Sequence, residues 1–125
     1  MARRKSPNLT EGELRLMKVL WAKGPATVGD VVESLPPEPP VAYNTVLTLL
    51  RILEKKGFVR HTKDGRAFVY EPLVGSKEAS SNAIRHLVSR FFGGSTGQLV
   101  MKLLEEEQID ARELKRIKKR INENE

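Results

Sequence analysis

Asn44, Thr48, Arg51 and Lys55 lie within one short segment and carry side chains suited to reading a base-paired duplex. Asn can bond bidentately to adenine and Arg to guanine, while Thr can donate, accept or touch a thymine methyl. Their spacing decides whether they act together. With Val46 at zero and about 100° per residue, Leu49, Leu50 and Leu53 fall within about 60° of it. On the same projection Asn44, Thr48, Arg51 and Lys55 fall between about 140° and 200°. A helix from Ala42 to Lys56 would thus bury one apolar stripe and turn a polar, basic, carboxylate-free face outward. Ordinary surface helices mix Glu with Lys; a merely solvated face is the competing reading. Tyr43 sits on the shoulder of the stripe. There its hydroxyl could reach a phosphate, or its ring could be half-buried in the core.

The residues that follow bear on that choice. Gly57 ends the helix. Phe58-Val59 and Phe68-Val69-Tyr70 then flank Asp64-Gly65, a pair that predicts a hairpin turn with positive φ at both residues. Arg60, Lys63 and Arg66 flank the expected tip. Lys63 and Arg66, with Lys55, are the residues expected to hold phosphates. Residues 41–66 carry Arg51, Lys55, Lys56, Arg60, Lys63 and Arg66 against Glu54 and Asp64, a net +4 of the chain's +6. A basic hairpin directly after a helix-turn-helix is the winged-helix arrangement. Arg3, Arg4 and Lys5 could add phosphate contacts or form an unstructured tail.

The elements that must position these residues can be read from caps and periodicity. Thr10 and Glu13 form a capping-box pattern ahead of Leu14, Met17, Leu20 and Trp21 at helical spacing, and Gly24-Pro25 stops that helix. Thr27 with Asp30 caps a second, shorter helix. Residues 36–40 (PPEPP) form a stiff loop. This loop is longer than the turn of the simplest helix-turn-helix. Pro72 to Gly75 reads as a hinge, and everything beyond it reads as helix. Ser76 caps a helix with Ile84, Leu87, Val88 and Phe91 on one side. Leu99, Val100, Leu103 and Leu104 follow after Gly93-Gly94. Asp110 and Glu113 open a last helix with Leu114, Ile117 and Ile121. These stripes exceed what three short helices can bury, so a second copy of the chain is expected to cover Ile84, Leu87, Val88, Phe91, Leu99, Leu103, Leu114, Ile117 and Ile121. The fold class is mainly α with a small β-hairpin wing: a winged-helix DNA-binding domain over 1–74 and a helical dimerisation domain over 75–125.

Composition excludes much else. A chain of 125 residues without cysteine has no disulfide, thiolate metal site or thiol nucleophile, which fits a reducing cytoplasm. No apolar run approaches the ~18 residues of a membrane span. His61 and His86 have no nucleophile or carboxylate at telling spacing. Glu105, Glu106 and Glu107 near Asp110 read as a solvated acidic helix end rather than a metal site. No enzyme, cofactor or metal is expected. The other function class left open is a winged-helix RNA-binding or protein-interaction module without operator specificity.

The stretches LTEGELRLMKVLWAKGPATVGDVVESL, AYNTVLTLLRILEKKGFV and GRAFVYEPLV resemble the BlaI/MecI-type penicillinase and methicillin-resistance repressor family. The likeness is strongest from Leu9 to Val74. It implies a dimeric winged-helix repressor on a palindromic double-stranded operator, with DNA bound by the N-terminal domain and dimerisation by the C-terminal helices. Thr45, within the most family-specific stretch, joins the expected DNA contacts. In antibiotic-responsive members, release follows cleavage of an Asn-Phe bond in the short C-terminal helix, linked to a membrane metalloprotease sensor. The matching bond here is Lys102–Leu103. Copper-responsive relatives carry a C-terminal cysteine cluster, which this chain lacks.

Overall fold

The computed structural model describes residues 8–106 and 108–124. Arg3, Arg4, Lys5 and Glu107 lie outside the described residues. The chain runs α1 (Glu11–Lys23), β1 (Ala26–Thr27), α2 (Val28–Ser34), α3 (Tyr43–Lys56), β2 (Val59–Asp64), β3 (Ala67–Pro72), α4 (Ser76–Phe91), α5 (Thr96–Glu106) and α6 (Ala111–Glu123). It divides into two compact units between His86 and Leu87.

In the first unit both N-terminal helices start on reciprocal caps. Thr10 Oγ1 accepts from the Glu13 N–H while the Glu13 carboxylate accepts from the Thr10 N–H at 2.8 Å. Thr27 and Asp30 repeat the arrangement at the start of α2. Each box satisfies amide groups that a helix start leaves without partners. α1, α2 and α3 then bury Leu16, Met17, Leu20, Val31, Val46, Leu50 and Leu53 together, with Phe58, Val59, Tyr70 and Val74 from the hairpin and its exit. Ala79 belongs to the same core, so the first turns of α4 pack with the N-terminal unit. The Trp21 indole N–H donates to the Val74 carbonyl at 2.8 Å, pinning the strand exit to α1.

The hairpin differs from its expected form in two ways. Asp64 pairs with Ala67, so the two turn residues are Gly65 and Arg66, one position later than the Asp64-Gly65 pair. Gly65 has φ of 63° and no non-glycine residue has positive φ among the described residues. A two-residue turn with glycine first and only one positive φ is the pattern of type II′ rather than the Asn-Gly or Asp-Gly pattern of type I′. The second difference is β1, which pairs antiparallel with β3 through Ala26–Tyr70 and Thr27–Val69. The wing is therefore part of a three-stranded sheet of order β1-β3-β2. A two-residue strand has no periodicity to betray it.

The second unit contains the end of α4, with α5 and α6. Among its described residues Val88 is the one buried side chain. Asp110 caps α6 by accepting from the Glu113 N–H at 2.9 Å.

Glu13 is 2% exposed and is the buried charged side chain among the described residues. Lys56 Nζ lies 2.7 Å from its Oε1. Burial by itself would raise the Glu13 pKa, but the Lys56 ammonium and the Thr10 amide outweigh it and hold the carboxyl below its ordinary 4.5. The contribution of the pair is then fully present above that value and is lost as pH falls through the lower native one. Glu13→Gln should cost about 1–3 kcal/mol at neutral pH, because Lys56 loses its anion and one cap bond weakens. Urea denaturation across a pH series should show wild-type stability falling more steeply below about pH 4.5 than that of the variant. Equal slopes would remove the ion pair from this account.

Candidate nucleic-acid interface

Val46, Leu50 and Leu53 of α3 are fully buried. On the other side Asn44, Thr45, Thr48, Arg51 and Lys55 are all exposed. Tyr43 is 54% exposed and lies outside the core cluster. Ala42, the residue that precedes α3, offers no side-chain cap, and the first turn of α3 holds no acidic residue. The starts of α1, α2 and α6 are closed by Thr10, Thr27 and Asp110 instead. Eight residues separate α2 from α3. That loop is held by the Arg15 guanidinium, which donates to the Pro39 carbonyl at 3.3 Å.

The wing is fastened to the end of α3. Gly57 takes a left-handed conformation, φ 89°, and its N–H donates back to the Glu54 carbonyl. The chain reverses there and Phe58 drops into the core. The Glu54 carboxylate accepts from the His61 backbone N–H at 3.3 Å and lies 2.8 Å from the ring Nδ1. The His61 ring meets Phe68 edge-on at 5.0 Å between centroids and lies 5.5 Å from Tyr70. Lys63 pairs with Phe68 and His61 with Tyr70, so Lys63 shares the hairpin face that Glu54 touches. Arg66 sits in the turn itself.

A second tie involves a residue of the exposed face. The Arg51 guanidinium lies near the Tyr70 hydroxyl and interacts with it electrostatically. Burial first, and then the Glu54 carboxylate, push the Tyr70 pKa above its ordinary 10.0, while Arg51 pulls against them. Tyr70 thus stays neutral, and β3 sets a phenol oxygen near the positive charge of an α3 side chain. Sequence patterning identified neither Tyr70 nor Glu54 as part of this region. Both act across elements, and a helical projection records only neighbours along one helix.

Pairing also redistributes the basic charge of residues 41–66. Lys56 is bound to Glu13, and Arg60 is paired with Glu71. Both carboxylates lie outside the segment. Arg51, Lys55, Lys63 and Arg66 are exposed around the outer face of α3 and the wing tip.

The remaining expected residues lie beyond α3 and the wing. Ile84, Leu87, Phe91, Leu103, Ile117 and Ile121 are exposed, Phe91 at 67%. Leu99 and Leu114 are partly buried and Val88 is buried within the single chain. Lys102 and Leu103 lie inside α5, both exposed, with Lys102 Nζ 2.7 Å from Glu106. Among the described residues no group of His, Asp and Glu is arranged to hold a metal ion. No described helix is long and apolar enough to cross a membrane.

A family model described as penicillinase repressor matches residues 9–123. The penicillinase repressor of Bacillus licheniformis is 28% identical over 121 residues, which covers 97% of this chain and 94% of that one. The methicillin resistance regulatory protein MecI of Staphylococcus aureus (strain N315) is 24% identical over 118 residues, covering 94% of this chain and 96% of its own. Among solved structures, the DNA-binding domain of the repressor BlaI superposes with a TM-score of 0.53 at 33% identity, covering 61% of this chain and 93% of that chain. The Bacillus licheniformis BlaI monomeric form in complex with the blaP half-operator gives a TM-score of 0.50 at the same 33% identity and the same coverage.

The Glu54 clasp gives a direct expectation. Glu54→Ala should loosen the hairpin with a loss of global stability under about 1 kcal/mol, because the contact is partly exposed. Hydrogen exchange at the His61 amide should accelerate more than at buried α3 amides. Uniform acceleration across both would mean that Glu54 does not hold the wing.

Proposed function

The chain belongs to the penicillinase repressor family, a family of transcriptional repressors and not of enzymes, and we propose that it acts as a homodimer on a palindromic DNA operator. One observation carries this reading. α3 buries Val46, Leu50 and Leu53, and its opposite face carries exposed Asn44, Thr48, Arg51 and Lys55 with no carboxylate, bordered by exposed Ile52, with a basic wing beside it. The half-operator complex of the BlaI relative supports the choice of duplex DNA.

Asn44, Thr48 and Arg51 enter the major groove and read base edges. Tyr43, Thr45, Lys55, Lys63 and Arg66 contact the phosphate backbone and set the register. The uncapped start of α3 adds amide groups that favour an anion there. Residues 1–74 supply DNA binding and 75–125 supply dimerisation through Ile84, Leu87, Phe91, Leu99, Leu103, Leu114, Ile117 and Ile121, with Val88 packed behind them. Two reading heads then meet one DNA face at about 34 Å or a multiple of it. The protein works in the cytoplasm, where its operator is.

Arg51→Ala should weaken operator binding by roughly 1–3 kcal/mol and flatten the preference at one base position per half-site. Lys63→Ala should weaken all sequences alike and make the salt dependence less steep. Selection of bound sites from a random duplex pool reads both effects. Unchanged base preference in Arg51→Ala would mean that α3 does not read the groove through Arg51. Failure of the wild type to select any duplex would favour an RNA-binding or protein-interaction module. Sedimentation at micromolar concentration should give twice the chain mass, and a monomer would end the dimer reading.

Release follows when the C-terminal helices separate, because one head alone binds weakly and tethering supplies the rest. Cleavage at Lys102–Leu103 by a membrane metalloprotease sensor would achieve this only through a protease that accepts a Lys-Leu bond. We expect the chain to stay intact in cells treated with a cell-wall antibiotic. Mass measurement of the recovered protein decides it: a fragment ending at Lys102 would show that the family's cleavage route operates here.

A further inference from the structure

We propose that α6 grips the phosphate backbone of duplex DNA through the face opposite its apolar stripe, as a sequence-independent contact separate from α3 and the wing. The inference rests on the DNA-binding reading above and extends it to a helix otherwise expected only to join two copies.

The helix carries Arg112, Lys115, Arg116, Lys118, Lys119 and Arg120 against Glu113 and Glu123, a net +4 within 13 residues. With Leu114 at zero, Ile117 and Ile121 fall at about 300° and 340°, one narrow stripe. Arg112, Lys115, Arg116, Lys119 and Arg120 occupy the arc from about 100° to 240°, where the one carboxylate is Glu123 at about 180° in the last turn of the helix. All five are exposed. None of them forms an ion pair among the described residues, whereas Lys102 in α5 does find Glu106.

Arg112, Arg116 and Arg120 follow each other at i, i+4, as do Lys115 and Lys119. Like charges at that spacing destabilise an isolated helix. The arrangement therefore opposes the local stability of α6 and calls for a partner with many negative charges. Five cations between Arg112 and Arg120 span about 12 Å of helix axis. Duplex DNA offers one charge per about 1.7 Å of its own axis, so several phosphates can be met at once. A lipid surface fits less well: the stripe has three aliphatic residues and no aromatic one, too little to bury in a headgroup layer. The stripe and the cationic arc lie on opposite sides. A second copy can cover the stripe while the arc stays open to DNA.

The test uses the full chain and a short duplex of arbitrary sequence, with affinity measured across a salt series. Lys115→Gln, Arg116→Gln and Lys119→Gln together keep helix-forming side chains and remove three charges. The plot of log affinity against log salt should become less steep by about 2 to 3, near 0.9 per lost phosphate contact. Circular dichroism and sedimenting mass should not change. Lys115→Arg with Lys119→Arg should keep the wild-type slope. A Lys63→Ala, Arg66→Ala variant, run in parallel, reports the wing independently. An unchanged slope in the triple variant beside a reduced one in the wing variant would overturn the α6 contact and leave the DNA reading standing. No duplex affinity in the wild type would end both. A changed sedimenting mass in the triple variant would assign the arc to copy-to-copy contact and overturn the proposal. So would an unchanged DNA slope with loss of binding to anionic phospholipid vesicles.

Discussion

Glu13 is a carboxylate taken almost wholly out of water, and it persists there because two donors hold it. The Thr10 amide bonds to it as half of a capping box, and Lys56 Nζ meets it at 2.7 Å and reaches the Asn8 carbonyl at 3.5 Å. A buried charge with fewer partners would shift its pKa upward or destabilise the fold. Here the net shift is downward, which means that the partners outweigh the burial. The consequence is geometric. One carboxylate closes the start of α1 and grips the end of α3, 43 residues away in sequence. Packing of Val46, Leu50 and Leu53 sets which side of α3 faces the core. The ion pair adds a directional contact at the end of α3 where apolar packing alone is not directional.

From that fixed end the rest of the candidate interface is built outward. Gly57 turns the chain, Glu54 catches His61 of β2, and Arg51 lies near Tyr70 of β3. β1 pairs with β3 from the far side, so the strand that carries Tyr70 is held between two others. α3 and the wing are thus coupled by polar contacts as well as by the shared core. A groove-reading helix needs this coupling: phosphate contacts can set a register only if they stand at a fixed offset from the side chains that read bases. The cap pattern points the same way. The chain closes the starts of α1, α2 and α6 with side-chain oxygens and gives α3 an alanine. A helix start left open at the candidate interface supports the reading that an external anion fills it.

What could be read from the residues alone was what depends on near neighbours. The apolar stripe of α3, the Thr10 and Thr27 boxes and the Gly57 stop are all decided within four residues, and each formed. The hairpin was legible but its turn was not placed correctly. Asp64-Gly65 satisfies the type I′ preference, yet pairing of Asp64 with Ala67 moves the turn to Gly65-Arg66. Strand register, not the dipeptide, decides that, because a one-residue slip would move Tyr70 from the buried face of the sheet. Lys56 and Arg60 contribute to the basic excess of residues 41–66. They are neutralised by Glu13 and Glu71, partners that no local count includes. Glu54 and Tyr70 escaped for the same reason.

The second unit poses a different physical question, because it has almost no core. Among the described residues from Leu87 onward only Val88 is buried, while Phe91, Leu103, Leu104, Ile117 and Ile121 are exposed. Helices of 11 and 13 residues are marginal alone in water, since propagation barely offsets the cost of nucleation. The like-charged rows of α6 make that helix weaker still. A caps-and-periodicity argument explains why these segments can be helical but not why they should remain so. Burial of the stripes by a second copy supplies the missing stabilisation, which makes folding of this unit and association a single event on the proposed reading. Dimer strength then depends on the integrity of every helix in the unit, including α5, whose Lys102–Leu103 bond lies within regular helix and reaches a protease only after local opening. Any signal that melts one of these helices would release the partner chain. The Glu13 and Glu54 contacts would remain intact, leaving each reading head folded but without the tether that gives it useful affinity.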